Sequence, residues 1–426
     1  MVKPYPCNMA ASRRHLLRAA AAGALLAACE RAVPSSSMSP TPTAYATSTA
    51  TPTPTIAAAA SPRPVLIRAA AIADGTSATP RPDVVVILRG DRIAYAGARD
   101  GAPEARDADV VDLPALTIVP AMVDCHAHLT GTGGANAHAR LQDPDAVLLA
   151  RATENARILA RSGVLAVRDL GAVRQMNVRA RDALRSLPDM PTIVAAGTWI
   201  ARRGRYVTFA IEVDSADELR AAAMVQLDAG ADLVKIAVDG ATGSAATFTV
   251  SELRATVDAV HARGKTIAVH SQGRGSRVAA EAGVDSIEHG FVIDATTAAA
   301  MRGRTVLVTT LSVAQAFGEL GIATPSLRAA HDAGVRIAVG TDAGGAPPQF
   351  GSFANEVELL VRAGLAPHEA LASATRVGGE VMGLSGFGTL DAGAPADFVA
   401  VDGDPLADPA ALRRVRTAFR SGRRIA

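Results

Sequence analysis

Side chains of the kinds that bind metal ions recur at a few positions of this 426-residue sequence. His126 and His128 stand two residues apart, and at that spacing two side chains of a β-strand point the same way and can bind one ion. His270, His289 and Asp342 follow, each at or just after the end of a short apolar run. Taken alone, each has an ordinary structural explanation, but their shared placement predicts a metal-binding centre.

A lysine adds to this set. The sequence has only three lysines, Lys3, Lys235 and Lys265. Lys235 lies in an apolar run, where an unpaired ammonium group would be costly. One explanation is an ion pair with a nearby carboxylate such as Asp239. The other is that the amine takes up CO2 and becomes a carbamate, a carboxylate-like bridging ligand that arginine cannot provide.

Eight short apolar runs alternate with helix-like segments and carry these residues. One such segment begins at Ser251 as the expected N-cap and ends at Gly264, with apolar residues at helical spacing between them. The pattern predicts an α/β fold, a (β/α)8 TIM-like barrel over residues 120–384, with active-site groups at the carboxyl ends of its strands. The expected strands are Ala121–His126, Val164–Arg168, Thr192–Ala196, Asp232–Ala237, Thr266–His270, Val284–Glu288, Thr305–Thr309 and Arg336–Gly340.

Short β-like runs separated by turn residues lie on both sides of this region. Examples are Val84–Leu88 before it and Ala396–Val401 after it. We expect residues 65–119 and 385–426 to meet in one small β-sandwich domain beside the barrel.

The N-terminal segment predicts export to the cell envelope. Residues 1–29 combine a twin-arginine pattern at Arg13 and Arg14 with a short apolar stretch, and they end in a lipobox-like sequence in which Cys29 would be lipidated. Residues 30–64 are rich in Ser, Thr and Pro and are expected to be a disordered linker. This predicts a lipid anchor on the outer side of the cytoplasmic membrane or in the periplasm, unless the leader is cut elsewhere.

The composition of the chain limits the classes of partner that it is expected to bind. The formal net charge is only +2, which excludes a strongly basic nucleic-acid-binding protein. The three cysteines, of which only Cys125 lies beyond the leader, exclude a disulfide framework and a Cys-rich zinc module. We expect a small-molecule or short-peptide substrate and no nucleic acid. The oligomeric state stays open, with a homo-oligomer among the alternatives.

Five motifs together resemble the metal-dependent amidohydrolase superfamily. The chain is most similar to the branch with imidazolonepropionase-like and prolidase-like (Xaa-Pro dipeptidase-related) proteins, over about residues 65–426. The motifs are Val123–His128, Gly163–Asp169, Asp232–Ile236, Val284–Gly290 and Gly340–Gly344.

The resemblance implies two divalent metal ions, expected to be zinc, whose bridging hydroxide is the nucleophile that cleaves a peptide-like amide bond. Three carboxylates are candidates for orienting the imidazoles, namely Asp124, Asp169 and Glu288. The implied ligand set is His126 and His128 for the first ion, His270 and His289 for the second, carboxylated Lys235 as the bridge, and Asp342 as ligand of the first ion and proton shuttle.

The sequence departs from the family pattern at two places. Gly197–Tyr206 stands where many members carry Gly-Gly-His after strand three, and Ser271–Gly273 lacks the second histidine that dipeptidase-like members often carry. The first departure contains candidate contacts for a substrate carboxylate, Arg205 and Tyr206, together with Arg202 and Arg203.

Other functions stay open. A deaminase of the same superfamily with one metal ion, or a lactone or cyclic amide hydrolase, would use a similar centre. A non-enzymatic solute-binding lipoprotein would share the anchor and linker. About two metal ions per chain and turnover of an amide would favour the two-metal amide hydrolase over these alternatives.

Overall fold

The computed structural model describes residues 63–134, 140–207, 209–240 and 245–425. The predicted export signal, the lipidation of Cys29 and nearly all of the predicted linker therefore lie outside the described residues. Within those ranges, the helices are all too short or too polar to cross a membrane.

The described chain contains seventeen strands and eleven α-helices. The strands are β1 (Val65–Ile72), β2 (Arg81–Arg89), β3 (Arg92–Ala98), β4 (Asp109–Pro120), β5 (Met122–Ala127), β6 (Val164–Asp169), β7 (Thr192–Ala195), β8 (Ile200–Arg202), β9 (Ile211–Val213), β10 (Leu233–Ala237), β11 (Thr266–Ser271), β12 (Ser286–His289), β13 (Val306–Thr309), β14 (Ile337–Val339), β15 (Phe398–Asp402), β16 (Val415–Arg420) and β17 (Arg423–Arg424). The helices are α1 (Asp145–Arg161), α2 (Met176–Leu184), α3 (Ala216–Asp228), α4 (Val250–His261), α5 (Gly275–Ala282), α6 (Ala295–Met301), α7 (Leu311–Phe317), α8 (Leu320–Asp332), α9 (Ala354–Ala363), α10 (Pro367–Ser373) and α11 (Arg376–Val381).

Strands from both ends of the described chain form one seven-stranded sheet. Its order is β17-β16-β15-β4-β1-β2-β3, and the two chain ends join where β4 pairs antiparallel with β15. The sheet curls around one apolar cluster in which the rings of Phe398 and Phe419 stack 4.7 Å apart. The amide of Ile93 donates to the carbonyl of Ala394 at 3.0 Å, which brings β3 back beside the segment before β15. The predicted small β unit is thus present as one curled sheet.

Eight parallel strands, β5–β7 and β10–β14, build the barrel. Backbone hydrogen bonds join β5–β7 to β10–β14 on both sides. The amide of Asp232 donates to the carbonyl of Ala195 at 2.8 Å, and the amide of Thr341 donates to the carbonyl of His126 at 3.1 Å. Each predicted apolar run overlaps one of these strands. The predicted fold class, a TIM-like barrel with a small β domain, is confirmed, whereas the domain boundaries stay predictions.

The helix predicted to start at Ser251 begins slightly earlier. Thr249 is the N-cap of α4, and its hydroxyl accepts from the amide of Glu252 while the Glu252 carboxylate accepts from the amide of Thr249. This reciprocal capping box satisfies two backbone donors, which a cap at Ser251 would not have done. The buried face that holds α4 against the barrel includes Leu253 and Val257, as the spacing predicted.

Candidate metal centre

The first two histidines come from the carboxyl end of β5. His126 lies within the strand and His128 directly after it, and both are buried. Their rings lie 5.4 Å apart. The alternation of the strand thus brings both imidazoles to the same side, as their spacing predicted.

The other candidate ligands lie at the same end of the barrel. His126, His289 and Asp342 form the most compact group, because their possible ligand atoms all lie within 4.8 Å of one another. The ring of His270 lies 4.6 Å from that of His289. His128 joins the group through Asp342, with 3.2 Å between Nε2 and Oδ1.

Two of these residues have an unusual backbone. His289 and Asp342 have φ angles of 69° and 56°, in the left-handed region that side chains other than glycine rarely adopt. Both stand where a barrel strand ends, and the turn there aims each side chain at the others. Strained backbone at strand ends is typical of functional sites.

Lys235 lies in β10 and is 1% exposed. Its Nζ has no hydrogen-bond partner among the residues that the structure describes. The pairing with Asp239 is absent, because that carboxylate accepts instead from Ser271, Gly273 and Gly275. Burial lowers the pKa of Lys235 to about 8, although nearby carboxylates oppose this.

Three of the imidazoles are held neutral. Burial, reinforced by the charge of Lys235, lowers the pKa of His126 to about 4 and that of His270 to about 3. Burial also holds the pKa of His289 well below its usual value. Neutral imidazoles have a free lone pair at neutral pH, so these rings can bind a metal ion without first losing a proton.

His128 and Asp342 behave as a pair. Burial opposes a charge on His128, but the hydrogen bond and charge of Asp342 outweigh it and raise the imidazole pKa. Burial likewise opposes ionisation of Asp342, but His126 and His128 hold its pKa well below the usual value. Asp342 is therefore a carboxylate at neutral pH, able to bind a cation or accept a proton.

Of the three carboxylates expected to orient imidazoles, Glu288 contacts a ring directly. Its Oε2 lies 3.0 Å from Nδ1 of His126. Burial raises the pKa of Glu288, but Arg168 and His126 outweigh it and bring the pKa to about 2. An ionised carboxylate only accepts, so Nδ1 of His126 donates to it and Nε2 is left free as a ligand atom.

Arg168 is the residue behind this contact, and sequence reasoning missed it. It is 2% exposed, its guanidinium donates to Glu288 at 2.8 Å, and its Nε donates to the carbonyl of Cys125 at 2.7 Å. A third donation, at 3.2 Å, goes to the hydroxyl of Ser286. Its position within the Gly163–Asp169 motif was the available signal, but its partners are distant in sequence.

The other two carboxylates, those of Asp124 and Asp169, accept hydrogen bonds from backbone amides. Asp124 accepts from the amide of His126 and from the hydroxyl of Thr341, the latter at 2.6 Å. Asp169 accepts from the amides of Leu129 and Gly171. Both therefore fix the segments that carry ligands and do not contact the rings.

The remaining three rings have weaker partners than His126. Nδ1 of His128 donates to the carbonyl of Gly171 at 2.9 Å, and Nδ1 of His289 lies 2.8 Å from the hydroxyl of Thr310. For His270 the partner is the hydroxyl of Tyr206, at 3.4 Å.

The candidate substrate contacts separate into two groups. Arg202 and Arg203 are committed to ion pairs within the protein, Arg202 with Glu252 at 2.6 Å and Arg203 with nearby carboxylates. Arg205 is exposed and forms no ion pair with any residue that the structure describes. Tyr206 packs over His270 with 4.8 Å between the rings. Tyr206 thus lies beside the candidate ligand His270, and the exposed guanidinium of Arg205 precedes it in the chain.

An aromatic wall completes the site. Trp199, the only tryptophan in the sequence, packs against His128 with 5.2 Å between the rings. Phe209 packs against Trp199 in turn, at 4.9 Å. The apolar wall excludes water from one side of His128, which strengthens electrostatic interactions there.

These donors fit divalent metal ions of the zinc type. Neutral imidazoles and an ionised carboxylate are the ligands that such ions take in proteins. Lys235 places a buried amine without a hydrogen-bond partner next to them. Within the set, the rings of His126 and His289 lie 4.9 Å apart.

A TIM-like barrel with candidate metal ligands at its strand ends fits the class of metal-dependent hydrolases. The chain belongs to the amidohydrolase family, which matches residues 117–425. It is a hydrolase acting on carbon–nitrogen bonds.

Individual relatives agree with this family. The chain is 30% identical over 331 residues to an uncharacterized protein of Mycobacterium tuberculosis, covering 72% of this chain and 84% of that protein. It is 29% identical over 376 residues to an imidazolonepropionase of Deinococcus radiodurans, covering 76% and 91%. Among solved structures, a Xaa-Pro dipeptidase with methionine bound in its active site superposes with a TM-score of 0.76 at 28% identity, covering 84% of this chain and 98% of that one.

Proposed function

We propose that this protein is a two-metal hydrolase that cleaves a peptide-like amide bond. The observation that carries the proposal is the placement of Lys235, whose buried Nζ has no hydrogen-bond partner among the described residues, next to a group of histidines and a carboxylate. A bridging ligand between two ions is the role that this position suits.

Each ion would have its own ligands. His126, His128 and Asp342 would hold the first ion, and His270 and His289 the second, with Lys235 between them. When bound, two such ions activate water as a nucleophile and polarise the carbonyl of the amide.

Lys235 would serve in its carbamate form. The neutral amine forms a bond from nitrogen to the carbon of CO2 and loses a proton, which gives a group with carboxylate oxygens. Burial lowers the pKa of Lys235 to about 8, so a fraction of the amine is neutral and reactive at neutral pH.

Asp342 would move the proton. Its carboxylate is ionised and lies 3.5 Å from Nε2 of His126 and 3.2 Å from Nε2 of His128, at the centre of the ligand group. From there it can accept the proton of the attacking water and deliver it to the leaving nitrogen, which must be protonated before it departs.

We infer that the substrate is a dipeptide or N-acyl amino acid with a free carboxylate. Arg205 is exposed beside Tyr206 and is not engaged in an ion pair with any described residue, so its guanidinium can bind a carboxylate. The likeness to a Xaa-Pro dipeptidase supports a substrate of this kind.

Metal analysis and a substrate screen test these proposals together. Protein loaded with zinc should hold about two ions per chain and should hydrolyse members of a panel of dipeptides and N-acyl amino acids. Arg205→Gln should raise KM for substrates with a free carboxylate and have little effect on their amidated forms. Arg203→Gln is the matched control, because Arg203 is already paired with Glu212 and Asp214. No turnover of any amide by metal-loaded protein would refute the proposal.

A mononuclear hydrolase or deaminase is the second candidate. The observation that favours it is that, among the described residues, only one group of three ligands is compact, formed by His126, His289 and Asp342. In that case the metal content would be about one ion per chain, and Lys235→Arg would leave both metal content and rate nearly unchanged.

We further propose that the protein acts at the cell envelope through a lipid on Cys29. The support is the sequence pattern of residues 1–29 and the Ser/Thr/Pro-rich segment after it. Incorporation of a labelled fatty acid into the wild type, and its loss in Cys29→Ser, tests this independently of activity.

A further inference from the structure

The imidazoles of the candidate metal centre differ in what holds them. His126 donates to a carboxylate and His128 to a backbone carbonyl, both of which are fixed by several contacts. Among the described residues, the hydrogen-bond partner of His289 is the hydroxyl of Thr310 at 2.8 Å. A rotatable hydroxyl orients a ring only if its own backbone is fixed. The position of Thr310 therefore decides the orientation of His289.

Thr310 directly precedes α7, and a buried glutamate holds the start of that helix. Glu356 of α9 accepts from the amide of Leu311 at 2.8 Å with Oε2 and from the amide of Ser312 at 2.6 Å with Oε1. Its neighbour Asn355 donates to the hydroxyl of Ser312 at 2.8 Å. The segment next to Thr310 is thus tied to α9 at three points.

Burying the carboxyl group of Glu356 costs more free energy than a residue with only a packing role would require. The residue is 0% exposed, and no lysine or arginine pairs with it among the described residues. Burial raises its pKa to about 8, although the two amides favour the charged form. An apolar side chain would fill the same space without this desolvation cost, so two fixed backbone amides are what the carboxyl group adds.

We propose that Glu356 is a positioning residue that sets the ligand geometry of His289 through Thr310. Within the described part of the chain, Glu356 forms no hydrogen bond with His289 or with any other candidate ligand of the centre. It fixes the amides of Leu311 and Ser312. Because these residues follow Thr310, the Thr310 hydroxyl is fixed as well, and that hydroxyl orients the ring of His289. This inference rests on the proposed two-metal function, in which His289 holds the second ion.

The test is zinc binding by the metal-free full chain, measured by competition with a chromogenic chelator. Thr310→Val should weaken binding of the second zinc about 10-fold or more, as loss of a partner behind a ligand does in other metal sites. Glu356→Gln should weaken it similarly, because the amide NH2, unlike either oxygen of the carboxyl group, cannot accept from a backbone N–H. Thr310→Ser keeps the hydroxyl and should bind as the wild type does.

A double variant separates positioning from general destabilisation. If Glu356 acts through Thr310, then Glu356→Gln together with Thr310→Val should weaken the second zinc no more than the worse single variant. Glu369→Gln is the matched control, since Glu369 also accepts from a backbone amide, that of Ala366 at 2.9 Å, but lies on α10. It should leave zinc binding unchanged.

Three outcomes would overturn the inference: additive losses in the double variant, wild-type zinc affinity in Glu356→Gln, or equal weakening of both ions. A wild type that binds only one zinc or none would instead refute the two-metal proposal, so the two failures are distinguishable.

Discussion

Nε2 of His128 lies 3.2 Å from Oδ1 of Asp342, and each residue shifts the pKa of the other. The pKa of His128 is higher in the folded protein than its value of 6.5 in the unfolded chain. Charged His128 therefore stabilises the fold fully at pH values below 6.5, and this contribution is lost as pH rises through the raised pKa. The lowered pKa of Asp342 gives a contribution that is present above 3.8 and lost as pH falls. The pair therefore stabilises the metal-free protein most between these two values.

Asp342→Asn should accordingly lower the free energy of unfolding of the metal-free protein by about 1.5–3 kcal/mol near pH 5.5. The difference from the wild type should shrink as pH rises well above 6.5, because His128 then loses its charge in both proteins. Urea unfolding in the presence of a chelator, from pH 5.5 to 8.5, measures this. A difference that grows with pH would contradict the assignment of the pair.

Lys235→Arg should abolish turnover and reduce the metal content by about one ion per chain. Arginine keeps the positive charge but cannot form a carbamate, so the bridge between the ions would be missing. Metal analysis and 13C NMR of protein incubated with labelled bicarbonate are the measurements. Lys265→Arg is the control, since Lys265 lies outside the barrel mouth. Full activity of Lys235→Arg would exclude the carbamate.

Arg168→Met should destabilise the protein by about 3–5 kcal/mol, because it leaves the buried carboxylate of Glu288 without its cation. The exposed pair of Arg277 and Glu281, at 2.7 Å, provides the control, and Arg277→Met should cost far less than Arg168→Met. Chemical unfolding of both variants tests the difference. Similar losses in the two variants would mean that the buried network contributes no more than a surface pair.

Gly131→Ala should disturb the loop that follows Asp342. A Cβ atom at Gly131 would lie 2.0 Å from the carbonyl oxygen of Gly344, so the two loops would have to separate. We expect a loss of about 1–3 kcal/mol in stability together with weaker zinc binding. Gly321→Ala, where no atom lies within 4 Å of the added Cβ inside α8, should be neutral or slightly stabilising. Unchanged zinc affinity in Gly131→Ala would show that the loop does not support the centre.

The barrel was predictable because its strands are short apolar runs whose order along the chain fixes their order in space. Polar residues such as His270 and Lys235 interrupt those runs, and in a barrel the strand ends face one another. The candidate ligands could therefore be grouped from sequence alone.

The supporting contacts were not predictable in the same way. Glu356 holds Leu311 and Arg168 reaches Glu288, and in each case the partners come from elements that only tertiary packing brings together. No local pattern distinguishes Glu356 from the exposed glutamates of an amphipathic helix. The engagement of Arg202 by Glu252 was likewise invisible, because a run of arginines in a loop resembles a free basic surface.

The pairing of β4 with β15 also bears on how the chain is made. Phe398 lies opposite Pro120, so one edge of β4 lacks its neighbour until β15 has been synthesised and has left the ribosome. During synthesis the exposed edge of β4 would be open to mispairing with other nascent chains, and the emergence of β15 would be the event that ends this exposure.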